Sequence, residues 1–284
     1  HGQGKNHQGI RRRKTGDPRH SKTQCPHPGT EYQTEMSDPK VKRLRIFAGP
    51  NGSGKSTLYN YLIGKNYFKT YFHINPDEIT KELPIGLNLE SYPIQFNEIR
   101  LKEYLSKSSF QKNTEPSLAE EVLVTGKNIR SKEANNITYL SGAIAEFIRQ
   151  EMLLSESSFS FESVFSHPSK VDFIRQAKEA GYKTYFYFIA TQDYQINQER
   201  VLNRVQLGEH DVPPDKIRDR YYKTMDNLYE ALRLTDRAFL FDNSEYSETH
   251  TYQMFVEKSS DQLHFETDKI PEWFRLFVLD KMQN

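Results

Sequence analysis

Residues Gly49 to Thr57 read Gly-Pro-Asn-Gly-Ser-Gly-Lys-Ser-Thr, directly after the apolar-ending run Leu44-Arg45-Ile46-Phe47-Ala48. This is the full Walker A spacing, with Gly49, Gly54, Lys55 and Ser56 placed where a strand turns into a helix. Pro50, Asn51, Gly52 and Ser53 fill the loop, and Thr57 closes it. Glycines let successive backbone N–H groups curl round a phosphate without Cβ clashes, and the helix N-terminus beyond adds partial positive charge. Lys55 would reach the β- and γ-phosphates, and the Ser56 hydroxyl would ligate Mg²⁺. The implied chemistry is binding of ATP with Mg²⁺. Where the phosphate then goes is a separate question.

In open parallel sheets, ligands sit at the carboxyl ends of the strands. That rule gathers the P-loop, Asp77, Glu162, the Thr191 region and Asp242-Asn243 at one edge. A carboxylate just past the second strand, Asp77, would accept the proton of an attacking hydroxyl. Pro76-Asp77-Glu78 would equally suit a helix start with Asp77 as its cap, and the residues alone leave the two readings even. Glu162 follows an alternating strand segment and would hold substrate hydroxyls or, through water, Mg²⁺; its plainer reading is a solvated or capping carboxylate. Arg200, Arg204, Arg218 and Arg220 flank the turn-rich Gly208 to Pro214. A helix–loop–helix lid of this kind would bring arginines onto a transferring phosphate. His210 is a loop histidine without a second His or Cys at zinc-ligand spacing.

Strands alternating with helices must hold these groups. The pattern predicts strands at Arg43 to Ala48, Thr70 to Ile74, Ser158 to Ser163, Thr184 to Ala190 and Ala238 to Phe241. Helices are expected over Lys55 to Gly64, Ile137 to Leu154, Val171 to Ala180, Asn197 to Leu207 and Asp215 to Leu234. A hairpin (Thr251 to Val256, Gln262 to Glu266) and a helix near Glu272 to Lys281 should follow. This is an α/β chain with a mostly parallel sheet and helices on both faces. The stretch from about Leu83 to Asn136 is too long for a simple connection and reads as a helical insertion.

Composition narrows the class. A formal net charge of +1 carries no strong nucleic-acid signal, so nucleic acid is not an expected partner. No apolar run approaches a membrane span, and no membrane association is expected. Cys25 is the only cysteine, so no disulfide framework exists, which suits a cytoplasmic protein. Residues 1–36 form a polar, basic leader, including Arg11-Arg12-Arg13-Lys14, that should not pack, and Met36 reads as a natural start. The folded domain is expected over residues 37–284, with the insertion at about 83–136.

Seven ordered motifs resemble the zeta-toxin family of P-loop kinases: Ala48 to Thr57, Ile74 to Ile79, Phe161 to Ser166, Arg200 to Val205, Gly208 to Pro213, Arg220-Tyr221 and Asp242 to Ser244. They span about Arg43 to Ser244. The resemblance implies an ATP-dependent transfer to a hydroxyl of a small-molecule acceptor, UDP-N-acetylglucosamine being the family's best understood one, and an antitoxin partner. Carried onto this sequence, it implies that Lys55 and Ser56 hold phosphates and Mg²⁺ and that Asp77 is the general base. Glu162 with its neighbour Ser163, and Glu146 on the preceding helix, would bind the sugar nucleotide. Arg204, and one of His210 or Arg220, would stabilise the transferring phosphate. A dinucleotide, a nucleotide or an RNA end are alternative acceptors. A P-loop ATPase or switch that transfers only to water is the alternative class.

Overall fold

The computed structural model describes residues 41–69, 72–133, 135–207, 211–245 and 252–283. The leader 1–36 with Cys25, the lid residue His210 and the expected hairpin start at Thr251 lie outside the described residues. In chain order the elements are β1 (Arg43–Ala48), α1 (Lys55–Gly64), β2 (His73–Ile74), α2 (Pro76–Glu82), β3 (Leu87–Asn88) and α3 (Glu98–Lys107). A 3₁₀ turn (Ser109–Asn113), β4 (Val122–Thr125), β5 (Asn128–Ser131), α4 (Ile137–Leu154), β6 (Phe159–Ser163), α5 (Ser169–Glu179) and β7 (Lys183–Ala190) follow. The chain continues with α6 (Tyr194–Gln206), α7 (Pro214–Leu234), β8 (Arg237–Asp242), β9 (Gln253–Ser259) and β10 (Gln262–Phe265).

Two compact units result, one of Arg45–Lys69 and Val164–Asn284, the other of Lys42–Leu44 and Thr70–Ser163. Strand β1 gives its first residues to the second unit and its last to the first. The first unit reads β10-β9-β8-β7-β1 and the second β1-β6-β2. Strands β7 and β8 pair in parallel, as do β2 and β6, whereas β8, β9 and β10 run antiparallel.

Strand β7 shows why the first unit needs helices on both faces. Its residues are buried from Thr184 to Ala190. Alternation sends Tyr185, Tyr187 and Ile189 one way, into a cluster with Phe47 and with Leu58 and Leu62 of α1. It sends Phe186 and Phe188 the other way, onto Phe165 and Trp273. The near-continuous apolar run is therefore that of a strand covered on both sides.

The second unit is built round α4, whose Leu140, Ile144, Phe147 and Ile148 are buried at i, i+4, i+7 and i+8. Phe147 meets Phe96 and Tyr104 edge-on. Thr80 of α2 and Ser141 of α4 share a hydrogen bond of 2.6 Å. The stretch 83–136 is helical over α3 and the 3₁₀ turn, and it also folds a three-stranded antiparallel sheet in the order β3-β5-β4. That sheet was not expected, because strands of two to four residues show too little alternation to read.

Two further elements differ from expectation. Of the expected strand Thr70 to Ile74, residues 70 and 71 lie outside the described residues, Phe72 is not in a strand, and β2 covers His73–Ile74. The terminal helix is interrupted: Glu272–Phe274 is α-helical, Arg275–Leu279 is a π-turn and Asp280–Gln283 is α-helical again. Trp273 and Val278, five residues apart, are each 1% exposed, and an i→i+5 turn brings that spacing onto one face.

Candidate active site

The P-loop leaves β1 at Ala48 and enters α1 at Lys55. A Cβ on Gly49 would lie 2.1 Å from the Ile189 carbonyl oxygen, so only glycine lets the loop pass the end of β7. Gly54 takes φ +100° as the residue before α1, a left-handed conformation that costs glycine little. Gly54, at the N-cap of α1, has no side chain to cap the helix, and an α-helix start of this kind presents N–H groups and partial positive charge to an anion. Lys55 folds back, its Nζ donating to the Gly49 and Pro50 carbonyls at 2.9 Å each. The Asn51 Oδ1 and Ser53 Oγ atoms are buried with no hydrogen-bond partner among the described residues. A glycine cradle, an uncapped helix N-terminus and a lysine spanning the loop fit a bound polyphosphate. Ser56, in the first turn of α1, would hold its Mg²⁺.

Two asparagines clamp this loop from outside the motif. Asn197 of α6 donates through Nδ2 to the Asn51 carbonyl at 2.6 Å. Its own Oδ1 accepts from Thr191 Oγ1, and the Thr191 carbonyl accepts from Tyr221 at 2.8 Å. Burial pushes the Tyr221 phenol up, with the Asp193 carboxylate adding to it. Asn243, just past β8, donates through Nδ2 to the Ser53 carbonyl at 2.9 Å, and its backbone N–H binds the Ala190 carbonyl at 2.8 Å. Sequence reasoning placed Asn243 at the ligand edge and gave it no task. It missed Asn197, which the structure buries fully near the start of α6.

The candidate arginines fall into distinct settings. Val201 Cγ2 would lie 3.2 Å from a Cβ on Gly52, so the face of α6 carrying Asn197 and Val201 runs along the loop. Arg204, three residues after Val201, continues that face and is half-buried. Arg200 is also half-buried, and its Nη1 has no hydrogen-bond partner among the described residues. Burial pulls its guanidinium down, against the Tyr252 phenol and the Asp242 carboxylate, which hold it up. Arg218 packs over the Tyr194 ring at 5.6 Å. Arg220 on α7 is half-buried. Asp242 is engaged from two sides, accepting from Trp273 Nε1 at 2.8 Å and from Ser244 Oγ at 2.7 Å.

The predicted carboxylates belong to the second unit. The α2 cap is Asn75, whose Oδ1 accepts from the Asp77 N–H at 2.9 Å, with Pro76 in the first helical position. This removes the capping explanation of Asp77. Its exposed carboxylate makes no hydrogen bond or ion pair among the described residues. Glu162 is 4% exposed and meets His73 Nε2 at 3.3 Å, while His73 Nδ1 lies 2.8 Å from Ser160 Oγ. Tyr92 donates to the His73 carbonyl at 3.3 Å. Burial, aided by Glu82 and Glu78, pushes the Tyr92 phenol up to about 12.

Ser163 is buried, and alternation sets it on the strand face opposite Glu162. Glu146 has different company: Arg149 at 3.4 Å and the Tyr104 hydroxyl at 3.5 Å. Arg149 packs over Phe161 at 4.7 Å, and burial brings its guanidinium down to about 10. His73 was missed in the sequence, since a lone histidine in a two-residue strand gives no signal. Among the described residues, no group of three or more His, Cys, Asp or Glu side chains could hold a metal ion. No described helix is long and apolar enough to cross a membrane.

No protein-family model and no curated protein matches this sequence. Solved structures do. AvrRxo1-ORF1:-ORF2 with ATP is 14% identical over 82% of this chain and 63% of the other, at a TM-score of 0.48. AvrRxo1-ORF1:AvrRxo1-ORF2 with sulphate ions is 14% identical over 83% and 64%, also at 0.48. The PezAT chromosomal toxin–antitoxin system of Streptococcus pneumoniae is 13% identical over 75% and 73%, at 0.43. The chain spans less than two thirds of the AvrRxo1 chains it matches.

Proposed function

We propose that this chain is a zeta-toxin-like P-loop kinase that moves the γ-phosphate of ATP to a hydroxyl of a small-molecule acceptor, a nucleotide sugar of the UDP-N-acetylglucosamine kind. The P-loop and the uncapped start of α1 bind the polyphosphate, and Lys55 leaves the Gly49 and Pro50 carbonyls to meet it. Mg²⁺ held at Ser56 would supply charge neutralisation between the phosphates. Asp77 takes the proton from the acceptor hydroxyl, and Arg204 and Arg220 offset charge on the transferring group. Glu162, Ser163 and Glu146 are the proposed acceptor contacts. A neutralising antitoxin partner belongs to the same reading.

One observation carries the transfer half of the proposal: Asn75 caps α2, so the Asp77 carboxylate has no structural employment. Asp242, the strand-end aspartate that a water-directed ATPase would need, is instead engaged by Trp273 and Ser244.

The test is incubation with γ-labelled ATP and a panel of UDP-sugars, dinucleotides and RNA ends. A labelled UDP-sugar is expected. Label in another acceptor would replace the substrate, and free phosphate without a labelled acceptor would overturn the kinase reading. Lys55→Ala should abolish transfer. Asp77→Asn should lower transfer by roughly 10²–10⁴-fold while keeping ATP affinity. Transfer by Asp77→Asn at the wild-type rate would dismiss Asp77 as the base.

A further inference from the structure

The P-loop motif supplies the groups that meet phosphate, and residues far along the chain hold the loop in place. Asn243 Nδ2 donates to the Ser53 carbonyl at 2.9 Å and would lie 2.9 Å from a Cβ on Gly54. It therefore touches the loop at the two residues that precede Lys55. Asn243 is itself set by its neighbours. Its N–H is fixed on the Ala190 carbonyl, and the preceding residue, Asp242, accepts from Trp273 Nε1 at 2.8 Å and from Ser244 Oγ at 2.7 Å.

The far end of this chain of contacts is buried and closely packed. Trp273 is 1% exposed, lies 5.4 Å from Phe255 edge-on and 5.8 Å from Phe188, and precedes the π-turn. A buried indole needs an acceptor for its N–H, and here that acceptor is the carboxylate ending β8. Ring packing and hydrogen bond together fix where β8 ends, and hence where Asn243 begins.

We propose that Trp273, Asp242 and Asn243 form a positioning relay that holds the P-loop in its nucleotide-binding shape, making the C-terminal segment a functional part of the phosphate site. The relay rests on the P-loop reading given above. None of its residues meets the phosphate; each acts through the Ser53 carbonyl.

The chain holds a single tryptophan, which makes the far end of the relay observable. Titration of the wild-type protein with Mg²⁺-ATP should change the emission of Trp273. Calorimetry should show that Asn243→Ala and Trp273→Phe each weaken Mg²⁺-ATP by about tenfold, since each loses one hydrogen bond from a connected set. Phenylalanine keeps the aromatic packing and removes only the donor. The double variant should bind no more weakly than Asn243→Ala alone, because both substitutions break the same path. Asp242→Ala, which leaves the aromatic cluster intact, should match Trp273→Phe and stands in for it if that variant does not fold.

A purely structural Trp273 would lower the melting temperature and leave ATP affinity within about twofold of wild type. That result, or losses that multiply in the double variant, would overturn the relay. If the wild-type protein itself binds no Mg²⁺-ATP, the P-loop reading fails first and the relay with it. Wild-type binding with an unaffected Trp273→Phe refutes the relay alone.

Discussion

The phosphate cradle and the carboxylate region are held by opposite means. In the first unit the loop is fixed through its backbone: the Asn51 and Ser53 carbonyls accept from neutral side-chain amides, and glycine lets the chain pass Ile189. In the second unit, side chains hold side chains, and charges sit at the edge of burial. Glu151 is 4% exposed against an Arg100 that is 50% exposed, and Glu162 leans on His73. A phosphate offers the same oxygens whatever it is attached to, so a backbone cradle suffices. An acceptor is recognised by its particular groups, which requires side chains of specific charge and reach.

The largest test of this contrast is Gly49→Ala. Its Cβ would meet the Ile189 carbonyl at 2.1 Å, backbone against backbone, so ATP binding by calorimetry should disappear and the melting temperature should fall. Wild-type binding would mean that the cradle does not depend on this close approach.

His73→Ala should come next. It takes one partner from a carboxylate that is 4% exposed, and denaturant melts should show a loss of about 1–3 kcal/mol. If the units are as independent as their means of construction, ATP affinity at saturating Mg²⁺ stays unchanged. A parallel loss of ATP affinity would break the contrast.

Asn75→Ala removes the α2 cap and should cost about 1 kcal/mol. Acceptor turnover should drop more than stability implies, because the Asp77 backbone loses its fixed partner. Equal turnover would show that Asp77 needs no such placement.

Glu151→Gln is the smallest. Burial pushes its carboxyl up, with the Arg100 guanidinium pulling against it. A carboxyl held above its unfolded value contributes stability in acid that is lost as pH rises through the raised value. The glutamine variant should therefore melt no lower than wild type at pH 7, within about 1 kcal/mol, and its stability should vary less with pH through the weakly acid range. A clear loss at pH 7 would mean that the exposed Arg100 pair outweighs burial.

The contrast also explains what could be read beforehand. Gly49 to Thr57 announces itself because loop curvature demands glycine at fixed offsets, and β7 announces itself through an apolar run that only a doubly covered strand requires. Asp77 was visible as a carboxylate but not as an uncapping one, since Asn75 and Asp77 are both good cap residues and only geometry chooses between them. Asn197 and Asn243 were hidden for another reason. An amide that donates to a distant carbonyl leaves no periodicity, and its partner is set by the sheet order. His73, the β3-β5-β4 sheet and the Glu146–Arg149 pairing share that difficulty, because each depends on contacts that short or polar segments do not encode locally.

The contact between Asn243 and Ser53 joins residues 190 positions apart. Protein synthesis runs from one end, so the nucleotide motif is made long before the amide that steadies it. A ribosome-bound chain that has just completed α1 carries every residue of the motif without its support. The full affinity for nucleotide would be reached only once Asn243, and then the Trp273 proposed to steady it, emerge and dock. The motif is thus written early in the chain and steadied late, and a chain interrupted before Asn243 would display it without that support.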